Sequence, residues 1–297
     1  MDCVLNGKYA DWAQMVDKIS FESFTNSDHQ RDHAALNELA FKLNRASVLI
    51  SLHGYKHACD EGKKQHCVVG SHVLSAINSI SSILSLTEKL SVQVREAVLL
   101  SRGVYETLLV GAFCSIDGGA RADKAMLHSI YKTFRSQTQH ADLGPVQVKV
   151  SRTQRIDRNH PKVIEAMKLF GSSSNIRPCF TETRAEMISA IAGKDGPAGI
   201  LFSGVEAMIY DIGSEIVHGS YYAWEAFNES TEGQLERLQR HYQTAHYAVF
   251  LSTAAFCRAI RANMLPSDFF EDLESFAIDT LEVHARDELN ADGDEGG

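Results

Sequence analysis

The stretch DHAALNELAFKLNRASVLISLHGYKHA, Asp32 to Ala58, decides the fold class. Leu36, Leu39, Leu43, Ala46, Ile50 and His53 recur at steps of three and four residues, which places all six on one stripe of an α-helix. A helix with one apolar stripe buries it against other elements, so partners of the same period are expected nearby.

They are present along most of the chain. After a polar stretch at Asp60–Gln65, read as a connector, Val73, Ile77, Ile80 and Leu84 repeat the period with serines between them. Ser91 suits the N-cap of a third helix carrying Val94, Val98, Tyr105, Leu108, Leu109 and Phe113 to a stop at Gly118 and Gly119. A fourth helix is expected over 122–137, and a short one over 162–170 behind Pro161. Thr183 with Glu186 has the capping-box pattern for a helix ending near Gly193, and Pro197 opens the next. Leu235, Leu238, Tyr242, Ala245, Val249, Phe256 and Ile260 mark a long helix, and Pro266 and Ser267 precede a last one reaching about Val283. The expected class is all-α, an antiparallel helical bundle. Its one irregular insertion is expected at about 141–182, where VQVKV alternates like a strand or hairpin arm.

Residues 1–30 form an expected docking arm anchored by Trp12, Phe21 and Phe24, residues 31–285 a single helical domain, and residues 286–297 an acidic disordered tail. With 44% hydrophobic and 23% charged residues the composition is globular. No apolar run is read as membrane-spanning, no signal-peptide pattern opens the chain, and the expected location is the cytoplasm. The six cysteines, Cys3, Cys59, Cys67, Cys114, Cys179 and Cys257, have no framework spacing and read as buried free thiols. A formal charge of −9 confines any nucleic-acid contact to a local basic patch.

The functional lead is YDIGSEIVHGSYYAW, Tyr210–Trp224. Ser214 and His218 lie one turn apart, the histidine falls at a helix C-terminus, and Gly219 suits the turn beyond. The dipole there favours the charged imidazole. EIVHGSYY resembles the second half of the R-N-x-L-V-H-x-Y segment of HEPN domains, helical bundles found in bacterial toxins and antiphage defence proteins. The resemblance implies a metal-independent endoribonuclease without cofactor, usually a homodimer, with His218 as the family's histidine and Tyr221 or Tyr222 as its aromatic. Gly213 stands where the family has arginine, and Ser214 where it has asparagine.

Two explanations fit that difference. Either the arginine comes from another helix, or the fold is kept without the chemistry. Arg102 is the candidate arginine, since Arg102 and Glu106 share a face of the third helix. In the catalytic reading His218 is general acid or base, Arg102 clamps a phosphate, Glu106 and Ser214 complete the site, and the RNA 2′-hydroxyl attacks. In the alternative, the chain is a non-catalytic sensor or adaptor that oligomerises or binds a protein partner.

Other patterns carry less. Arg135/His140, Arg155/His160 and Arg240/His246 repeat the family's arginine–histidine spacing, so spacing alone is not diagnostic. His53, His57, Cys59, His66, Cys67 and His72 crowd together, and His53 with His57 has the one-turn spacing of two zinc ligands, but the remaining spacings match no metal module and no metal is assigned. Lys149, Arg152, Arg155, Arg158 and Lys162 form the one basic patch able to meet an RNA backbone. It contains no aromatic residue for base stacking.

Overall fold

The computed structural model describes residues 27–57, 60–91, 93–136, 138–142, 144, 147–151, 156–171, 177–219, 227 and 234–294. Among them are nine α-helices and one β-hairpin. The helices are α1 (Ser27–His57), α2 (Asp60–Leu86), α3 (Val94–Ser115), α4 (Ala120–Arg135), α5 (Pro161–Phe170), α6 (Arg184–Ala192), α7 (Gly196–Val217), α8 (Gln234–Asn263) and α9 (Asp268–Asp294). The hairpin pairs β1 (Thr138–Asp142) with β2 (Gln147–Ser151) in antiparallel register, His140 opposite Lys149.

The apolar stripe of α1 is in the core: Leu36, Leu39, Leu43, Ala46 and Ile50 are all fully buried. Its partner α2 runs antiparallel, with Ser51 beside Gly70 and His33 reaching the Leu84 carbonyl. Helix α3 is the centre of the bundle, burying 13 of its residues between α2, α7 and α8. Gln65 on α2 donates to the carbonyls of Cys114 and Ser115 at 3.2 and 2.8 Å, tying the start of α2 to the end of α3. Helix α9 closes the bundle through ion pairs: Arg258 meets Asp195 and Glu274 at 2.9 and 2.8 Å, and Arg261 meets Glu271 at 3.0 Å.

Chain punctuation follows local chemistry. Gly118 and Gly119 adopt φ of 57° and 103°, a left-handed turn that separates α3 from α4. Thr183 and Glu186 form the full capping box at the start of α6. Asp195 caps α7 by accepting from the Ala198 amide at 2.9 Å.

Four expectations are corrected. Asp60–Gln65 is the first turn and a half of α2 rather than a connector: Lys64 pairs with Asp123 and Gln65 is buried, so these polar side chains have tertiary partners. Ser91 is not the N-cap of α3; Gln93 holds that position, and the Ser91 hydroxyl accepts the Gln93 amide in the preceding turn. Residues 286–294, expected as disordered, continue α9, where alanine, arginine, glutamate and leucine favour helix. Two helical stretches, Gly62–Leu86 and Val94–Ser115, are long and apolar enough to cross a membrane by length and composition, because the serines of α2 do not interrupt its hydropathy. The second of these is the mostly buried central helix, α3.

Of the expected docking arm, residues 27–30 are the first turn of α1, and Trp12, Phe21 and Phe24 lie outside the described residues. The insertion at 141–182 contains the second half of the hairpin and helix α5; Tyr131 of α4 packs on Phe170 at 5.1 Å, fastening α5 to α4.

Candidate functional site

Three helices bring a compact charged cluster together. From α3 come Arg102, Tyr105 and Glu106; from the start of α6, Arg184; from α7, Glu206, Tyr210 and Gly213. Arg102 Nε donates to Glu106 Oε1 at 3.0 Å, one turn away on the same helix. Its side chain then runs across α7 where Gly213 leaves room: a Cβ at position 213 would stand 2.6 Å from Arg102 Cδ. The guanidinium ends over the Tyr210 ring, its carbon 4.3 Å from the centroid. Arg184 lies over the same ring at 3.5 Å and donates Nε to Glu206 at 3.0 and 3.2 Å. Tyr105 donates its hydroxyl to Glu206 Oε2 at 2.6 Å.

The electrostatics balance within the cluster, two guanidiniums against two carboxylates. Burial alone works against the Arg184 charge, and the hydrogen bond and charge of Glu206 outweigh it, so its pKa is raised. Burial, then the Glu206 carboxylate, pushes the Tyr105 phenol well above its ordinary range, so it is a neutral donor. Each pair is partly solvent-exposed, Arg102 least, with 14% of its side chain accessible. Beside Glu206 a mostly apolar cleft of about 570 Å³ opens between α6 and α7, lined by Ile188, Ala192, Gly199, Ile200 and Ser203 among others.

The sequence-derived candidates separate into three groups. Arg102 and Glu106 are joined as expected from their spacing. His218 is exposed, following the last residue of α7, and its amide donates to the Ser214 carbonyl at 3.0 Å. Among the described residues no hydrogen bond, ion pair or ring contact joins His218 to Arg102. From Tyr210, over which the Arg102 guanidinium lies, helix rise carries the backbone about 12 Å to position 218. Tyr221, Tyr222, Arg152 and Arg155 lie outside the described residues. Of the basic patch, Lys149, Arg158 and Lys162 are exposed on β2, the following turn and the start of α5.

His246 does not face outward. It is buried, with Nε2 3.2 Å from the Asp32 carbonyl oxygen and its ring stacked on Phe250 at 4.3 Å. It belongs to a polar set that the sequence reading missed: His29, Asp32, His246 and Tyr242 are all at most 2% exposed, with the His29 and Tyr242 rings 4.7 Å apart. The side chain of His57, one half of the expected one-turn pair, lies outside the described residues. His53 Nδ1 lies 3.0 Å from His66 Nε2, and His66 Nδ1 donates to the Gly62 carbonyl at 2.7 Å, which fixes the His66 tautomer. Among the described residues no group of three or more histidine, cysteine, aspartate or glutamate side chains gathers as a metal site. Cys67, Cys114, Cys179 and Cys257 are free, but Cys67 is exposed and Cys179 only half-buried, against the expectation of burial; burial pushes the Cys114 and Cys179 thiols up to about 12 and about 11. Those two are therefore protonated at neutral pH and poor nucleophiles.

No protein-family model matches the chain, and neither a curated protein nor a solved structure matches it.

Proposed function

We propose that this chain is a HEPN-like helical module that works by binding a protein partner, the adaptor or sensor type of role in toxin and defence systems, rather than by cleaving RNA. The observation that carries this reading is the closed charge balance of the Arg102 cluster. Arg102 is engaged by Glu106, Arg184 by Glu206, and Glu206 also by Tyr105. A phosphate entering there would have to compete with the carboxylate that each guanidinium already holds. The exposed His218 has no base-orienting carboxylate among the described residues. The resemblance of EIVHGSYY to the family segment, without the arginine at Gly213, supports the same reading.

One observation favours a second reading, a metal-independent endoribonuclease. Arg102 occupies the space over Gly213, the position where the family carries its arginine, so a guanidinium is present beside α7 although it comes from α3. In that reading His218 as general base takes the proton of an RNA 2′-hydroxyl, whose oxygen attacks the adjacent phosphorus to form a 2′,3′-cyclic phosphate as the P–O5′ bond breaks and the 5′-oxygen leaves with a proton from water, or His218 acts instead as the general acid that protonates that leaving oxygen; Arg102 leaves Glu106 to clamp the phosphate.

Incubating the full chain and its His218→Ala form with total RNA, without added metal, separates the two. Equal absence of cleavage is expected. Cleavage by the unaltered chain that His218→Ala abolishes would establish the ribonuclease instead.

A further inference from the structure

The cleft between α6 and α7 has the shape of a groove that a third helix could fill. Ala185 and Ser189 line it from α6, and Gly196, Ile200, Ser203 and Ala207 from α7. Steps of three and four residues set each row along one side of its helix. All six are exposed, and Ile200 alone is large, with 72% of its surface accessible. Small side chains on a helix let a neighbouring helix axis come close. The Ser203 hydroxyl is turned inward, donating to the Gly199 carbonyl at 2.9 Å, so it loses little when water leaves the groove. From Gly196 to Ala207 helix rise gives about 16 Å, or three turns of an occupant.

One end of this groove is acidic. Asp211 and Glu215 follow Ala207 one and two turns further along α7, and neither meets a cation among the described residues. Helix α7 contains no lysine or arginine, and α6 contains only Arg184, which Glu206 already holds. Both free carboxylates lie toward the C-terminus of α7, the negative end of its dipole, where acids are disfavoured and cations favoured. From this helix end itself only His218, at the C-cap, can offset them. Lys194 stands exposed in the turn at the opposite end of the groove. The groove is therefore apolar along its length, with an excess of unmatched negative charge at one end.

We propose that the α6–α7 groove docks an amphipathic helix of a protein partner, apolar face down, with lysines or arginines over Asp211 and Glu215. Charge complementarity selects this occupant: a basic helix end relieves the acids that α7 leaves unmatched at its own C-terminus. The apolar floor takes side chains at three- and four-residue spacing, the helix-in-groove mode of recognition. The same acids repel a nucleic acid and an anionic bilayer, and a second copy of the chain brings a further charge of −9. Three turns of helix bury an area at the low end of specific interfaces, which suits a reversible contact. The inference rests on the partner-binding reading and names where the partner sits and what it carries.

The test is fluorescence anisotropy of the full chain with a labelled, side-chain-stapled helical peptide of about four turns, leucine on one face and lysine on the other. A second peptide carries glutamate in place of lysine. Ser203→Tyr fills the groove without changing charge, Asp211→Lys reverses its acidic end, and Ser71→Tyr on α2 is the control; all three positions are exposed, so the fold tolerates the changes. The lysine peptide is expected to bind the unaltered chain and Ser71→Tyr alike, and the glutamate peptide, Ser203→Tyr and Asp211→Lys each to weaken binding about tenfold or more. No binding of the lysine peptide overturns the proposal, as does equal binding of the glutamate peptide. Undiminished binding by Ser203→Tyr overturns it too, since the peptide is then drawn only by the overall acidity. A solution mass of twice the single chain that Ser203→Tyr halves would put a second copy in the groove and overturn it equally. None of these outcomes bears on RNA cleavage, so the partner-binding reading is judged separately by the His218→Ala comparison.

Discussion

Arg102 and Gly213 interlock: the aliphatic part of the arginine fills the space that a side chain at 213 would need, with Cδ 2.6 Å and Cβ 3.2 Å from an ideal Cβ there. The glycine therefore has a packing role, allowing α3 and α7 to close over a charged side chain that bridges to Tyr210. The position that departs from the HEPN segment is the one that admits an arginine from elsewhere in the fold. Whether that arginine braces the bundle or clamps a substrate is the question on which the functional reading turns.

Glu206 is the hub of the cluster, accepting from both Arg184 and Tyr105. Glu206→Gln keeps the shape and removes the charge. We expect a loss of about 1–2 kcal/mol, measured as a lower urea midpoint at unchanged slope. A neutral effect would mean that the arginine and the tyrosine find water as readily as they find the carboxylate.

The buried polar set at the α1–α8 contact predicts acid sensitivity. Burial lowers the His29 pKa below the usual 6.5, only partly opposed by hydrogen bonds to the Thr87 and Glu88 backbone; burial lowers that of His72 as well. The sign is fixed by linkage. Below pH 6.5 the unfolded chain takes up protons that the folded chain does not, so this stability is complete above 6.5 and falls as the pH drops. The slope is at most about 1.4 kcal/mol per pH unit for each such histidine. Urea midpoints at successive pH values should show the decline, and His29→Gln should flatten it. A midpoint that rises on acidification would contradict the assignment.

Gly199 is the closest approach of α6 and α7, where an added Cβ would meet Ala192 Cβ at 2.4 Å and its Cα at 2.8 Å. Backbone cannot rotate away as a long side chain can. Gly199→Ala should cost about 1–3 kcal/mol in denaturant unfolding despite the better helix propensity of alanine. Gly204 lies on the same helix with nothing within 4 Å of its added Cβ, so Gly204→Ala should instead stabilise by up to about 1 kcal/mol.

Local chemistry made much of this fold legible. The Leu36–Ile50 stripe, the Thr183–Glu186 capping box and the glycines after α3 are signals complete within one turn or one helix, and each is found where its chemistry places it. Asp60–Gln65 misled because Gln65 and Lys64 find their partners on α3 and α4, which no local window contains. The candidate site divides in the same way. Arg102 with Glu106 is an i,i+4 pair and was legible; Tyr105 with Glu206 spans 101 residues and Arg184 with Glu206 spans 22, so only packing reveals them. Tyr210 opened the lead stretch, but its role as a platform for two guanidiniums has no signature in spacing.

The central claim is that Arg102 is a fixed part of the bundle, and a double-mutant cycle with Gly213 tests it most directly. In the unaltered background Gly213→Ala should lower stability by about 1–2 kcal/mol, the clash with Arg102 exceeding the helix-propensity gain of alanine. In an Arg102→Ala background the same substitution should raise stability by up to about 1 kcal/mol, since the obstructing side chain is gone. Opposite signs in the two backgrounds are the predicted result. The same effect of Gly213→Ala in both would show that Arg102 does not rest on Gly213, and would return it to the role of a mobile, substrate-seeking side chain.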